Sequence, residues 1–360
     1  MPDSPLPESS PHALAARPAE QFLIQQFSEG NLLPAAGDVL TTSLGRAQLA
    51  AALAASNQYD RVDCWYIDLY QANHARAHHP EPPASLNIVC ESDPPEHQYD
   101  LAVLPLGRRG ETELVRDQLQ SFFNALKIGG QLWVAVDNPT DKWVHEQIVK
   151  LGVKPTTISG SDSIVYGCVK TAELKKQKNY GCEFAIRDRG RLLKVYSRPS
   201  VFSHRRIDPG ARHLIDAMPI EAGMRVLDLG CGAGTVSLAA ATAADDVTVH
   251  CIDSNSRAVQ CTLAGAELNQ LTNVTASVSD TGQIDAPGSF DLVLGNPPYY
   301  ADFRIAELFM ATAHKALRSG GRVVLVGKDE EWYTDQMPVL FHSIEIQPVK
   351  GYLVASGTRL

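Results

Sequence analysis

Apolar residues in this chain gather in short runs that end at glycine-rich or polar turns. Val226-Leu227-Asp228-Leu229 reads as a buried strand, Gly230-Cys231-Gly232-Ala233-Gly234-Thr235 as a tight turn, and residues 236–244 as an alanine-rich helix. Residues 247–252 predict a second strand that ends at Asp253, a third strand segment ends at Asp280, and a fourth, residues 290–295, ends at Asn296. Arg318-Ser319-Gly320-Gly321 predicts a helix stop, and residues 322–326 one further strand. Strands alternating with helices predict an α/β fold, whose chemistry sits at the carboxyl edge of the sheet.

The first half repeats this pattern. Tyr99-Asp100-Leu101-Ala102-Val103-Leu104-Pro105-Leu106 matches Phe290-Asp291-Leu292-Val293-Leu294-Gly295-Asn296-Pro297, and Lys127-Ile128-Gly129-Gly130 matches Arg318-Ser319-Gly320-Gly321, both at a spacing of 191 residues. Asp38-Val39-Leu40 opens a strand and helix like those from Arg225, at 187, and Trp65-Tyr66-Ile67-Asp68 stands to Cys251-Ile252-Asp253 at 185. Four landmarks in order at nearly constant spacing predict a duplicated domain. The first copy has Thr41-Thr42-Ser43-Leu44-Gly45-Arg46 in place of the glycine turn, and Pro105-Leu106-Gly107 in place of Asn296-Pro297-Pro298. It is expected to be catalytically dead.

Length agrees with this: 360 residues predict two domains, each able to bury its own core. The formal charge of −9 argues against a generally adhesive nucleic-acid binder. Residues 170–212 are the exception, with twelve Lys and Arg against four acids, a local +8 that leaves −17 for the remainder. Part of this stretch, residues 183–187 and 191–197 around Asp188-Arg189-Gly190, reads as a β-hairpin, and a phosphate-binding stripe competes here with a plain solvated linker. The seven cysteines form no C-x-x-C pair and no zinc spacing, which predicts reduced thiols in a cytoplasmic protein. His74, His78 and His79 are read as solvent-facing rather than as metal ligands, and no metal is expected. Residues 1–17 read as a disordered tail, and no apolar stretch reaches the length of a membrane span.

Candidate chemistry centres on Asn296-Pro297-Pro298-Tyr299. An amide oxygen at Asn296 and the carbonyl of Pro297 can each accept one hydrogen of a planar NH2 group. The prolines fix φ and remove neighbouring N–H donors, and Tyr299 offers a flat face for stacking. That combination suits an exocyclic amine. The glycines at 230, 232 and 234 allow close backbone approach at a helix N-terminus, but Thr235 breaks the G-x-G-x-x-G spacing, which disfavours NAD. Asp253 is placed to accept hydrogen bonds from ribose hydroxyls.

The G-x-G-x-G turn preceded by Asp228 resembles the first motif of class I S-adenosylmethionine methyltransferases. An intact second copy behind a degenerate first one resembles, from about Pro18 to Gly357, the ribosomal RNA guanine 2-amino methyltransferases of the RsmC and RlmG type. Arg198-Pro199-Ser200-Val201-Phe202-Ser203 and Ile207-Asp208-Pro209-Gly210 look like that family's entrance segment over the cofactor and target base. The resemblance implies two tandem Rossmann-like domains, the first degenerate: residues 18–172, a basic linker and hairpin over 173–200, and a catalytic domain over 201–360. It also implies S-adenosylmethionine as cofactor, held by Asp228, Gly230, Gly232, Gly234, Asp253, Asp280 and Asn296. Catalysis is then expected at Asn296, Pro297, Pro298 and Tyr299, with Phe202, Tyr299, Arg205 and Arg206 on the substrate, RNA as partner, and a monomer. Ser200 in place of Gly, Tyr299-Tyr300 in place of Phe-His, and Asp302 in place of a further Gly depart from the pattern on the substrate side. Methylation of a protein glutamine amide or of an adenine amine stays open, as does a non-catalytic RNA-binding or assembly role.

Overall fold

A computed structural model describes residues 16–32, 37–298 and 303–360. The chain divides into two compact units, residues 1–179 and 180–360. In the first, the order is α1 (Pro18–Ser28), β1 (Gly37–Thr41), α2 (Gln48–Ala55), β2 (Tyr59–Tyr66), α3 (Leu69–His78), β3 (Leu86–Cys90), β4 (Tyr99–Leu106), α4 (Thr112–Ala125), β5 (Leu126–Val136), α5 (Trp143–Val149), β6 (Thr156–Ser159) and β7 (Ile164–Val169). The second opens with a hairpin, β8 (Cys182–Asp188) and β9 (Arg191–Ser197). It continues with α6 (Pro209–Ala217), β10 (Arg225–Leu229), α7 (Thr235–Ala241), β11 (Thr248–Asp253), α8 (Ser256–Leu268), β12 (Val274–Val278) and β13 (Phe290–Gly295). Last come α9 (Arg304–Ala316), β14 (Leu317–Gly327), α10 (Glu330–Gln336), β15 (His342–Val349) and β16 (Tyr352–Thr358).

Each unit holds a seven-stranded sheet in the same order, β3-β2-β1-β4-β5-β7-β6 and β12-β11-β10-β13-β14-β16-β15. In both, the last two pairings are antiparallel and the others parallel. Parallel sheets need apolar cover on both faces. The second has it: Val226, Val249 and Cys251 pack with α7 on one side, while Leu227, Leu229 and Ile252 pack with Met310 and Ala313 of α9 on the other.

The likeness extends to single atoms. Asp100 Oδ2 accepts from Asp38 N at 3.0 Å and from Lys127 Nζ at 2.8 Å; Asp291 accepts in the same way from Arg225 N at 2.8 Å and from Arg318 Nε at 2.5 Å. Each carboxylate ties the start of the first strand to the start of the fifth, at the edge of the sheet away from the glycine turn. The spacing of 191 residues is thus a structural duplication.

Three local expectations change. The helix after the glycine turn stops at Ala241, because the Thr242 hydroxyl bonds back to the carbonyls of Leu238 and Ala239. The hairpin, set apart in sequence as a linker, packs into the second unit: Ile186, Leu193 and Val195 share a core with Val236, Leu238 and Ala258. Glu183, Arg187, Arg191 and Lys194 alternate with these buried positions and face outward, while Asp188 is buried and paired with Arg189 and Arg212. Of the three histidines, His74 is exposed but His78 and His79 are half-buried, and a His79 ring nitrogen lies 2.8 Å from the Arg46 carbonyl. Among the described residues, no group of three His, Cys, Asp or Glu is placed to hold a metal ion. The expected tail falls largely on residues 1–15, which lie outside the described residues.

Candidate active site

Register brings the site together. Leu229 pairs with Ile252 on one side and with Gly295 on the other. The next residues, Gly230, Asp253 and Asn296, therefore stand side by side where β10, β11 and β13 leave the sheet. Strand spacing puts the outer two about 10 Å apart. The two strands flanking β10 are reached by connections on opposite sides, so this edge is the topological switch point where α/β sheets bind ligands.

The glycine turn is shaped by the chain itself. Gly230, Gly232 and Gly234 have φ of 69°, 55° and 79°. A side-chain carbon on Gly232 would lie 2.0 Å from the Phe202 carbonyl oxygen, and one on Gly234 2.9 Å from Thr262 Oγ1. The expected reason for these glycines was approach to a ligand; the structure adds close approach of the protein's own entrance segment and of α8. Asp253 pins the turn from beneath, taking Gly232 N on Oδ2 and Asn255 N on Oδ1, both at 2.9 Å. Asp280 lies two residues past β12 on the same edge, joined through Ser279 N to the Asp253 carbonyl at 3.0 Å.

Asp228 is buried on β10 and accepts the Ser237 hydroxyl. Burial pushes its carboxyl up to about 7, against the pull of that hydroxyl, and the nearby Asp253 charge adds to the rise. Burial likewise raises the thiols of Cys231 and Cys251 far enough that neither is a thiolate at neutral pH.

The entrance segment is clamped onto the turn. Ala233 N donates to the Phe202 carbonyl at 2.8 Å, Asn255 Nδ2 to the Ser200 carbonyl at 2.9 Å, and the fully buried Arg257 donates from Nη1 to the Pro199 carbonyl at 3.2 Å. Ser200, standing where the resembled family has Gly, holds φ of +78°, a conformation that glycine adopts without strain. Phe202 is 62% exposed, and Arg205 and Arg206 are exposed after it. Pro297 is buried, whereas Asn296 and Pro298 are half-buried. Asn296 Nδ2 donates to Asp208 Oδ2 at 3.1 Å. Tyr299, with Tyr300 and Asp302, lies outside the described residues. Asp208 was read as part of the entrance segment but given no role of its own, and Ser237, Asn255 and Arg257 were absent from the sequence-derived site; Asn255 before Ser256 looks like an ordinary helix cap.

The same register shows what the first unit lacks. Thr41 pairs with Cys64 and Val103 as Asp228 pairs with Cys251 and Leu294. Thr41, Ser43, Tyr66 and Pro105 thus occupy the places of Asp228, Gly230, Asp253 and Asn296. This corrects the sequence alignment, which set Asp68 against Asp253; Asp68 caps α3 instead. The turn is also filled from within. Ser43 Oγ takes the amides of Gly45 and Ala47 and donates to buried Glu20 at 2.6 Å, while Gln48 takes the Arg46 amide.

Residues 192–356 match the methyltransferase small domain family. The Bacillus subtilis protein YbxB is 30% identical over 185 residues, which are 49% of this chain and 91% of that protein. A ribosomal RNA small subunit methyltransferase C of Pseudoalteromonas translucida is 24% identical over 72% of this chain and 77% of its own length. A ribosomal RNA large subunit methyltransferase G of Aeromonas hydrophila is 32% identical, but the match spans only 43% of that protein. Among solved structures, a T. thermophilus 16S rRNA N2 methyltransferase, RsmC, in complex with AdoMet and guanosine, shares the two-unit fold with a TM-score of 0.77 at 22% identity, covering 95% of this chain and 92% of that one. The second unit belongs to the methyltransferase small domain family of S-adenosylmethionine-dependent methyltransferases, and the chain is similar to the ribosomal RNA methyltransferases C and G.

Proposed function

We propose that the second unit transfers a methyl group from S-adenosylmethionine to the 2-amino group of a guanine in ribosomal RNA. The observation that carries this is the row at the switch point: a glycine turn, an acid one strand away, and an amide-proline acceptor pair on the opposite strand. Relatives named for ribosomal RNA methylation, and the fold shared with an enzyme solved with guanosine, support the choice of substrate.

In this reading the glycine turn, residues 230–235, and Asp228 border the methionine part of the cofactor, Asp253 the ribose, and Asp280 the adenine amine. Bound S-adenosylmethionine supplies a sulfonium methyl group that is already electrophilic. The protein's task is then positioning and exclusion of water, worth on the order of 7–11 kcal/mol. Asn296 Oδ1 and the Pro297 carbonyl accept the two amine hydrogens, which favours a pyramidal nitrogen and stabilises positive charge as it develops. No strong base is needed, because the product ammonium sheds its proton to solvent. Phe202 and Tyr299 supply stacking faces for the base, and Arg205, Arg206 and the outward arginines and lysine of the hairpin hold phosphate. The first unit, with its turn filled, serves in docking and folding.

Mass spectrometry of ribosomal RNA from a strain lacking the gene tests this. One N2-methylguanine should disappear and return when the wild-type gene is restored; an unchanged set of methylated guanines would exclude the proposal.

A further inference from the structure

We infer that Asp208 is a positioning residue that sets which face of the Asn296 amide meets the substrate, and so makes the holder selective for an amine; this rests on the amine-methylating reading above. An amide carries a donor and an acceptor on one carbon, and rotation by half a turn exchanges them. With the nitrogen turned to the substrate, Asn296 would repel an exocyclic NH2 and welcome a carbonyl. A carboxylate only accepts, so the atom that Asn296 turns to Asp208 is Nδ2, at 3.1 Å, and Oδ1 is turned away from it. The carboxylate is itself held, because the same Oδ2 accepts Ala211 N at 3.1 Å as the N-cap of α6. Asn296 is thereby oriented by the frame of a helix 88 residues away in sequence.

The first unit provides an internal comparison. α1 begins as α6 does, with proline in its first turn and an extended residue before it, but that residue is Arg17 and makes no side-chain cap. The α1 amide of Ala19 instead finds Asp137 Oδ1 at 2.5 Å, from the loop after β5. In the place of Asn296 stands Pro105. Starting this helix therefore does not require an acid at the cap. Where the amide is gone the acid is gone with it, and where one is kept both are.

Capping and positioning separate experimentally. Asp208→Ser keeps a good cap but is too short to reach Asn296, whereas Asp208→Asn keeps both the cap and an acceptor oxygen. The full-length enzyme is assayed with S-adenosylmethionine and ribosomal subunits from a strain lacking the gene, with single-turnover rate, cofactor affinity and Tm measured together. Asp208→Ser should lower the rate by about 10²-fold at saturating cofactor and subunit, with affinity and Tm near wild type, and Asp208→Asn should regain most of the rate. An Asp208→Ser enzyme with the wild-type rate overturns the inference, as does a folded Asp208→Asn enzyme as slow as Asn296→Ala. If wild type itself methylates no guanine in either subunit, the proposed function fails and the inference falls with it.

Discussion

The Phe202 carbonyl oxygen accepts the amide hydrogen of Ala233 at 2.8 Å and closes the space above the glycine turn. The strand-to-helix turn and the entrance segment are thus one object, and the tightest point between them is Gly232.

Gly232→Ala tests that joint. An alanine there meets both a φ of 55° and an oxygen 2.0 Å away that belongs to backbone, so the entrance segment must lift. The strain is about 1–3 kcal/mol. Calorimetry should show S-adenosylmethionine binding weakened at least about tenfold for each 1.4 kcal/mol lost, with a lower Tm. Wild-type affinity and Tm together would mean that the segment does not close on the turn.

Asn296 and Asp253 should separate chemistry from binding. Asn296→Ala removes an acceptor used most when the amine becomes cationic, and should cost about 2.7–4 kcal/mol in turnover with cofactor affinity nearly unchanged. Asp253→Ala should weaken cofactor binding by about 1.5–3 kcal/mol. It should also lower Tm, because the amides of Gly232 and Asn255 lose their acceptor. Titration calorimetry beside steady-state kinetics distinguishes the two variants; an Asn296→Ala enzyme with more than about half its turnover would remove this residue from the chemistry.

What could be read in the sequence was whatever is local in the chain. A strand, three glycines and an alanine-rich helix lie within twenty residues, and the acid closing β11 and the Asn closing β13 follow from where apolar runs stop. Contacts closed by tertiary structure were not visible. Asp208 was read only as part of the entrance segment, and nothing in the chain announces that it caps α6 and accepts a second hydrogen bond from Asn296. The hairpin showed its charges and its two strands but not its packing, since its outward charges alternate with the residues that bind it to the second unit. In the first copy, the alignment of Asp68 with Asp253 was two residues out, and only the strand ladder, with Val39 opposite Val62 as Val226 is opposite Val249, fixes it.

Asp228 predicts a pH dependence with a definite sign. Its folded pKa, about 7, lies above the ordinary 3.8, so the folded chain holds this proton more tightly than the unfolded chain does. The resulting stability is complete below the ordinary value and is lost as pH rises through about 7, at no more than about 1.4 kcal/mol per pH unit. Urea denaturation at pH 5 and pH 8 should therefore show a larger loss for wild type than for Asp228→Asn. Parallel losses would show that the carboxylate is accommodated without cost.

Fragments test the division of labour between the units and where the second begins. A fragment of residues 180–360 contains the hairpin, the entrance segment and every residue proposed to hold the cofactor, and should bind S-adenosylmethionine at a stoichiometry near one. A fragment of residues 201–360 lacks Ile186, Leu193 and Val195, three fully or nearly buried side chains in the core that backs α7 and α8. Each contributes about 1.5–3 kcal/mol by burial, and the sum is an upper bound comparable to the whole stability of a domain. This shorter piece should unfold at lower temperature or aggregate, and solubility must be established before its affinity is interpreted. Residues 1–179 should bind no S-adenosylmethionine, because Thr41, Tyr66 and Pro105 stand in the places of Asp228, Asp253 and Asn296. Two results would revise the scheme independently. Stoichiometric binding to residues 1–179 would mean that the first copy keeps a working site, and a fragment of residues 201–360 as stable as residues 180–360 would return the hairpin to the status of a linker.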